Sequence, residues 1–528
     1  MAYQETYPFS RKRLNSYENL RNDEDTRKKL FLDVEQVTAD LTPNDPSVKT
    51  ITSEANENPN IRDAIAIDIG TSKSRISICK DRYIQIAEHE SSRSVPSYVA
   101  LSEQNEWLVG KMAENYAVCL QNVIYGLATF DIIEPNRSDP FVVNASQMFD
   151  KLLDTLFSTA YKNLQHSTAA IAITIPIKST QDYKYVVKDY AEGAVKHIVD
   201  AMFFSTTKQN QPKGQPETKR NRSGHDESSQ QRFGNQTKSQ ENFNKRTPLD
   251  NITVKLIDEP IAVAAAYAPR LNLYSKGNVA LVFCMGARYL QVAAYFIQQK
   301  KVNHWTDWVI TQISGIEPIF ENFAGDDIDR LIFDQMMDKL TQQNGGQKPT
   351  LSLRAGRRLK IACEKIKCAL SFAPHTRIDV DSLYRNGDED CDLVAVIQKD
   401  EIKGYYNEKV DHIIKKVGEA YKDLKPKFIL LAGGSTRIPL ISEGLSGVFQ
   451  DATICSFLNV DEVAVNGAAA IVSRTVTVAE KSIDRNQVIG TSARSAPTAR
   501  RTQADDTPIL NKENVGGDQS LDVIIKGH

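Results

Sequence analysis

Three strand-to-turn junctions carry residue types suited to phosphate chemistry. In Ile67-Asp68-Ile69-Gly70-Thr71-Ser72 an apolar run ends in a glycine turn with a carboxylate beside it. A phosphate needs backbone N–H groups aimed into a tight turn, and glycine lets the chain approach with no Cβ in the way. Gly70, Thr71 and Ser72 meet that need. Asp68 stands where a carboxylate could bind hydrated Mg²⁺, which takes few protein oxygens and keeps its waters. A second junction, Leu431-Ala432-Gly433-Gly434-Ser435-Thr436-Arg437-Ile438-Pro439, offers two glycines that would admit a base and sugar against the backbone. Between them lies Val282-Phe283-Cys284-Met285-Gly286-Ala287-Arg288, with a cysteine where such a site would want a carboxylate. Taken alone, the Gly70 turn also reads as a plain structural β-turn.

The elements that must position these turns alternate between strand and helix. Ala64–Ile67 and Ser74–Ile78 read as strands around the Gly70 turn, and Ala145–Leu164 has helical periodicity. A buried strand over Ala169–Ile175 is stopped by Pro176, and a helix is expected from Thr180 to Phe204. Strand pattern resumes at Ile252–Ile257. Helices are expected over Leu353–Leu370 and Asp400–Leu424, and strand Phe428–Leu431 feeds the second glycine turn. Between Ser205 and Pro248 only Phe233 and Phe243 are aromatic, too little to offset the entropy of ordering, so this segment reads as a disordered insertion. Its nine Lys and Arg against four Asp and Glu suit either a solvated loop or a segment that meets an acidic partner or RNA. Residues 1–60 read as a disordered arm whose apolar positions Leu30, Phe31, Val34, Val37 and Leu41 fit either a transient or a docking helix, and 479–528 read as a disordered tail. In that tail Lys512-Glu513-Asn514 matches a degradation signal, a match too short to separate from chance.

Composition sets the outer limits. A chain of 528 residues, 41% hydrophobic and 25% charged, has room for a large core and more than one domain. A net charge of −2 gives no long-range attraction to nucleic acid or an anionic membrane, so neither is an expected partner. The seven cysteines are odd in number and contain no Cys-x-x-Cys pair, which fits free thiols in a reducing compartment. The polar start and the lack of any long apolar run point to a cytoplasmic location, with the nucleus as the other option.

The order of the pieces resembles the nucleotide-binding domain of the heat shock protein 70 chaperones, within the actin-like ATPase superfamily. The resemblance runs from Ala64 to Val478 apart from the insertion. It rests on Ile67–Thr71, Val95–Ala100, Thr174-Ile175-Pro176, Asp258-Glu259-Pro260 with Ala264–Tyr267, Ala362–Lys367, Gly433–Pro439, and Asp461–Ala464 with Gly467-Ala468-Ala469. It implies an α/β, two-lobed fold, with mixed sheets flanked by helices around a central nucleotide cleft. The corresponding divisions are 61–272 for the first lobe, 273–456 for the second, and 457–478 for a return to the first. It implies ATP or ADP and Mg²⁺ as cofactors. Carried over by position, Asp68 holds the metal through water, Gly70, Thr71 and Ser72 cradle the β- and γ-phosphates, and Glu259 orders the metal shell or attacking water. Glu364, Lys367 and Ser371 reach the ribose or adenine, Gly433, Gly434, Ser435 and Arg437 line the nucleoside pocket, and Asp461 closes it. Pro176 corresponds to a hinge that reports nucleotide state. Glu364 and Lys367 also read as a plain i,i+3 ion pair on a helix face.

The departures lower the expected activity. The family's catalytic lysine aligns with Ala128, a metal-shell aspartate with Cys284, and the arginine that stacks on adenine with Cys368. Losing one charged donor from such a site costs about 10² to 10³ in rate, and phosphoryl transfer depends almost wholly on positioning and charge. Arg288 either points inward and supplies charge to a phosphate or lies on the surface. Ser473–Val478 does not resemble the family's interdomain linker, and peptide clamping in the family's manner is not expected from the tail. The expected function is a divergent, chaperone-related nucleotide-binding protein acting through other proteins of chaperone or co-chaperone type, with weak binding and degraded hydrolysis. The alternatives are a slow ATPase that assists folding with a partner, and a nucleotide-free scaffold.

Overall fold

The computed structural model describes residues 58–102, 104–114, 120–121, 145–209, 252–273 and 277–493. The chain divides into two compact units, one of Met1–Glu57 with Val302–Thr306 and one of Asn58–Lys301 with Asp307–His528. Of the first, only the turn Val302–Thr306 is described, with Asn303 in the left-handed region at φ 50°. The rest of the fold belongs to the second.

That unit opens with β1 (Ala64–Ile69), β2 (Lys73–Lys80), β3 (Tyr83–Ile86) and β4 (Val95–Pro96), followed by β5 (Tyr98–Leu101), β6 (Trp107–Val109), helix α1 (Lys111–Glu114) and β7 (Leu120–Gln121). Then come α2 (Ala145–Leu164), β8 (Ile171–Ile175), α3 (Gln181–Gln209), β9 (Val254–Asp258) and α4 (Glu259–Tyr267). The chain continues through β10 (Asn278–Met285), β11 (Leu290–Val302), β12 (Trp305–Ser314), β13 (Ile319–Glu321), α5 (Gly325–Gln343), α6 (Leu353–Leu370), β14 (His375–Asn386) and β15 (Glu389–Gln398). It ends with α7 (Lys399–Tyr421), β16 (Phe428–Ala432), α8 (Pro439–Val448), β17 (Thr453–Cys455), α9 (Val463–Val472), β18 (Thr477–Val478), β19 (Ile483–Asp484) and α10 (Arg485–Ala493).

Two mixed sheets carry the site. The first has the order β3-β2-β1-β8-β9, the second β17-β16-β10-β11-β12-β18. Strand β8 is buried at every residue and β1 at all but one, as expected of strands covered on both faces. β10 in the second sheet is buried throughout. In the first sheet β1 runs parallel to β8 and antiparallel to β2, so the register sets Asp68 beside both Thr174 and Arg75. The second sheet repeats this arrangement: β10 is parallel to β16 and antiparallel to β11, which sets Cys284 beside Ala432 and Gln291. Helix α9 packs on β1, β2, β8 and α4. Its Gly467 lies so close to α4 that a Cβ there would collide with the Ala262 carbonyl.

Helices α2 and α6 have the bounds expected from their periodicity, and Ser352 caps α6 by accepting the Ala355 N–H at 3.1 Å. Two boundaries differ from the sequence reading. Helix α3 continues to Gln209, five residues into the expected insertion. The tail does not begin at Ala479: β19 pairs with β12 through Ile313 and Ile483, and α10 buries Val488 completely. Val488 with Ile483 and Ile489 packs against the core, and Arg485 pairs with Asp423, which holds a polar segment whose composition alone suggests disorder. The 1–57 arm, the rest of the insertion and the tail beyond Ala493 lie outside the described residues, as does Ala128.

Candidate functional site

The ends of β1, β10 and β16 and the start of α4 converge on a cavity of about 260 Å³. Ligands of open α/β folds bind outside the carboxyl ends of such strands. Every residue singled out from the sequence for the metal, phosphate and nucleoside roles lines this cavity: Asp68, Gly70, Thr71, Ser72, Glu259, Glu364, Lys367, Ser371, Gly433, Gly434, Ser435, Arg437 and Asp461. Cys284, Arg288 and Cys368 line it too.

The glycine turns are as tight as their sequences require. Gly433 has φ 83°, and a Cβ on it would strike the Met285 carbonyl, so this turn and the β10 turn touch backbone to backbone. Ser435 Oγ donates to the Gly286 carbonyl at 2.7 Å, and Asp326 N donates to the Ala287 carbonyl at 2.7 Å. The β10 turn is thereby tied to both the second glycine turn and the start of α5. The Gly70 turn is closed by Ser97, whose Oγ donates to the Gly70 carbonyl at 2.6 Å.

Two carboxylates form the floor. Thr174 Oγ1 donates to Asp68 Oδ1 at 2.5 Å. Glu259 accepts from Gln291 Nε2 at 2.6 Å and from the Tyr289 hydroxyl at 3.3 Å. Burial raises the Asp68 carboxyl above its ordinary pKa, against the opposing effects of Thr174 and Arg75. Burial raises Glu259 as well, to about 8, and the charge of Asp68 adds to the rise. The Cys284 thiol is raised well above its usual value by burial and then by Glu259 and Asp68, so it stays protonated. Two buried carboxylates that repel each other fit a hydrated Mg²⁺, which needs only one or two such ligands. A protonated thiol beside them adds no hard oxygen.

Charge pairs ring the rest. Lys367 does not form the i,i+3 pair with Glu364. Its Nζ lies 2.7 Å from Asp329 Oδ2 and donates to the Gly325 carbonyl at 3.0 Å. Burial nonetheless lifts the Asp329 carboxyl to about 6. Asp461 sits between two guanidiniums, Arg437 Nη1 at 2.5 Å and Arg75 Nη2 at 3.5 Å. Arg288 is exposed at the cavity edge.

A model of the Hsp70 protein family matches residues 64–130 and 252–484, more than half of the chain. The chain belongs to the Hsp70 family. Curated Hsp70 relatives agree over 77% of it: Heat shock 70 kDa protein 2 of Paracoccidioides lutzii is 25% identical, and a ribosome-associated molecular chaperone of Zygosaccharomyces rouxii 24%. Heat shock cognate 70 kDa protein 3 of Dictyostelium discoideum is 23% identical over the same share. The match covers 56%, 60% and 59% of these relatives, so the chain spans a little over half their length. Among the described residues no helix is long and apolar enough to cross a membrane.

Sequence reasoning passed over several residues that this Hsp70 cleft brings in. Lys73 and Arg75 also line it. Both follow the Gly70 turn at alternate positions of β2, and alternate positions share a strand face, so counting outward from the turn would have found them. Asp329 and Gln291 had no local signal, because their partners come from distant elements.

Proposed function

We propose that this chain is a nucleotide-binding module of the Hsp70 type, which holds ATP or ADP with a weakly held Mg²⁺, hydrolyses it slowly, and acts through contacts with other proteins. The observation that carries the reading is the joint lining of one cavity by the Gly70 turn, the Gly433-Gly434 turn and the Asp68–Glu259 pair, with Cys284 between them. Backbone N–H groups at the two turns would bind phosphate and sugar, and Lys73 and Arg288 bring positive charge to the same space. A bound magnesium would neutralise phosphate charge, held by Asp68 and Glu259. Weak metal binding follows from Cys284, a protonated thiol that leaves only Asp68 and Glu259 as hard oxygen ligands at this end of the cavity. Slow hydrolysis follows from the loss of a metal-shell carboxylate at Cys284, since phosphoryl transfer relies on charge stabilisation.

Two measurements test the reading. A ligand that binds only the folded state raises its melting midpoint, so ADP should raise it, with Mg²⁺ adding little at neutral pH. Steady-state ATP turnover should be near background. Fast turnover abolished by Asp68→Ala would instead establish a working ATPase, and no midpoint shift with any nucleotide would leave a scaffold.

A further inference from the structure

Two aromatic side chains line the cleft, Tyr289 and Phe372. Tyr289 is already engaged. Its ring stacks on Phe320 with centroids 5.2 Å apart and planes at 29°, its hydroxyl donates to Glu259, and only 9% of it is exposed. Phe372 is the reverse case: it is 79% exposed, more than any other large apolar side chain among the described residues. The backbone beneath it is fixed. Phe372 N donates to the Ala369 carbonyl at 3.1 Å, Ala373 N donates to the same carbonyl at 2.9 Å, and Ser371 Oγ reaches back to the Lys367 carbonyl at 3.2 Å. The chain therefore anchors the backbone that carries an open phenyl ring at the wall of the cavity, beside the polar side chains of Lys367 and Ser371. Cys368, four residues earlier and also on the cavity wall, is small and uncharged beside it.

A ring exposed in this way loses nothing by packing and gains contact when a flat ligand covers it. Every nucleobase has a π-face, and stacking on an aromatic side chain is insensitive to the pattern of donors and acceptors on the base edge. We propose that Phe372 is the stacking platform for the base of a nucleotide held in this cleft, and so a specificity residue that separates nucleotides from bare polyphosphates. The inference rests on the nucleotide-binding reading above and adds to it the group that meets the base.

The test is titration calorimetry of the full chain with ADP and with pyrophosphate, on wild type, Phe372→Ala and Phe372→Trp. Because the ring is exposed, both variants should melt near the wild-type temperature. Phe372→Ala should bind ADP roughly 5- to 150-fold more weakly, the range spanned by base–aromatic stacking, while its pyrophosphate affinity stays at the wild-type value. Phe372→Trp should retain ADP affinity, and its indole fluorescence should fall on addition of ADP. Unchanged ADP affinity in Phe372→Ala overturns the proposal and leaves the ring to a protein contact. An equal loss of ADP and pyrophosphate binding also overturns it, since the ring would then act through cleft shape. Failure of wild type to bind either ligand is the separate result that removes the nucleotide reading and this inference together.

Discussion

Gln291 donates its side-chain amide to Glu259, Nε2 to Oε2 at 2.6 Å, while its Oε1 accepts the Ile177 backbone N–H at 2.6 Å. A side chain only 1% exposed therefore joins the floor of the cleft to the segment just past Pro176. Gln291→Ala should cost about 2–4 kcal/mol in urea unfolding, because a buried polar group left unpaired costs roughly 1–3 kcal/mol. Gln291→Glu should be worse at pH 8 than at pH 5, since it adds a third carboxylate to Asp68 and Glu259. A loss below about 1 kcal/mol for Gln291→Ala would mean that the bridge is dispensable.

The floor carboxyls set a pH dependence whose sign is fixed. Asp68 and Glu259 both titrate above their ordinary values, chiefly through burial. A carboxyl raised on folding contributes stability that is complete below its unfolded pKa and is lost as pH rises through the folded one. From this pair alone, stability should be greater at pH 5 than at pH 9. Glu259→Gln keeps the acceptor oxygen for Gln291 and removes the titration. In thermal melts across that range the variant should show a flatter profile than wild type, and parallel profiles would refute the assignment.

Two glycines of the cleft should respond very unequally to alanine. Gly433 combines φ 83° with a Met285 carbonyl in the space a Cβ would take, whereas a Cβ on Gly286 would meet nothing within 4 Å. Gly433→Ala should destabilise by about 2 kcal/mol or more, from left-handed strain plus the backbone clash. Gly286→Ala should change stability by less than about 1 kcal/mol. Chemical denaturation of the two variants side by side decides this.

These contrasts show what a sequence of this kind makes legible. Asp68, Gly70, Gly433 and Asp461 could be placed because each sits in a strand-end or turn motif whose residues are contiguous, and the hydrophobic periods fixed α2 and α6 to their observed ends. The Lys367–Asp329 pair was not legible, because its partners are 38 positions apart and lie on different helices. The Gln291–Ile177 bond spans 114 positions, and no local pattern encodes it. Burial of Val488 escaped for a different reason: Ile483, Val488 and Ile489 are too few and too irregularly spaced to show a period in polar surroundings. Phe372 follows a helix end, and no local pattern encodes its exposure at the cavity wall.

Asp461 accepts from Arg437 and is ion-paired with Arg75, and Asn459 Oδ1 lies 3.0 Å from Arg437 Nη2 beside this wall of the cleft. The three side chains are between 14% and 38% exposed, so solvent screens the pairs. Asp461→Asn should therefore cost only about 0.5–1.5 kcal/mol of stability, from a small network of partly exposed pairs. Its effect on ligand binding should be larger in proportion, because two guanidiniums lose the partner that orients them. Thermal melts with and without ADP separate the two effects: a small drop in the midpoint of the free protein and a reduced ADP shift are expected.

Cys284 gives the sharpest test of whether the cleft has given up its metal. The thiol is 5% exposed, kept protonated by burial and by Glu259 and Asp68. Cys284→Asp puts a third carboxyl next to two that already resist ionising. Without a cation the variant should lose about 2–4 kcal/mol at pH 8, the order expected for an uncompensated buried charge. Lowering the pH should recover most of that loss by protonating the cluster. With three carboxylates to bind it, Mg²⁺ in the millimolar range should also recover the loss, raising the midpoint of the variant far more than that of wild type. If Mg²⁺ raises both midpoints equally, Asp68 and Glu259 already hold the ion well and the weak-metal reading of this cleft is wrong.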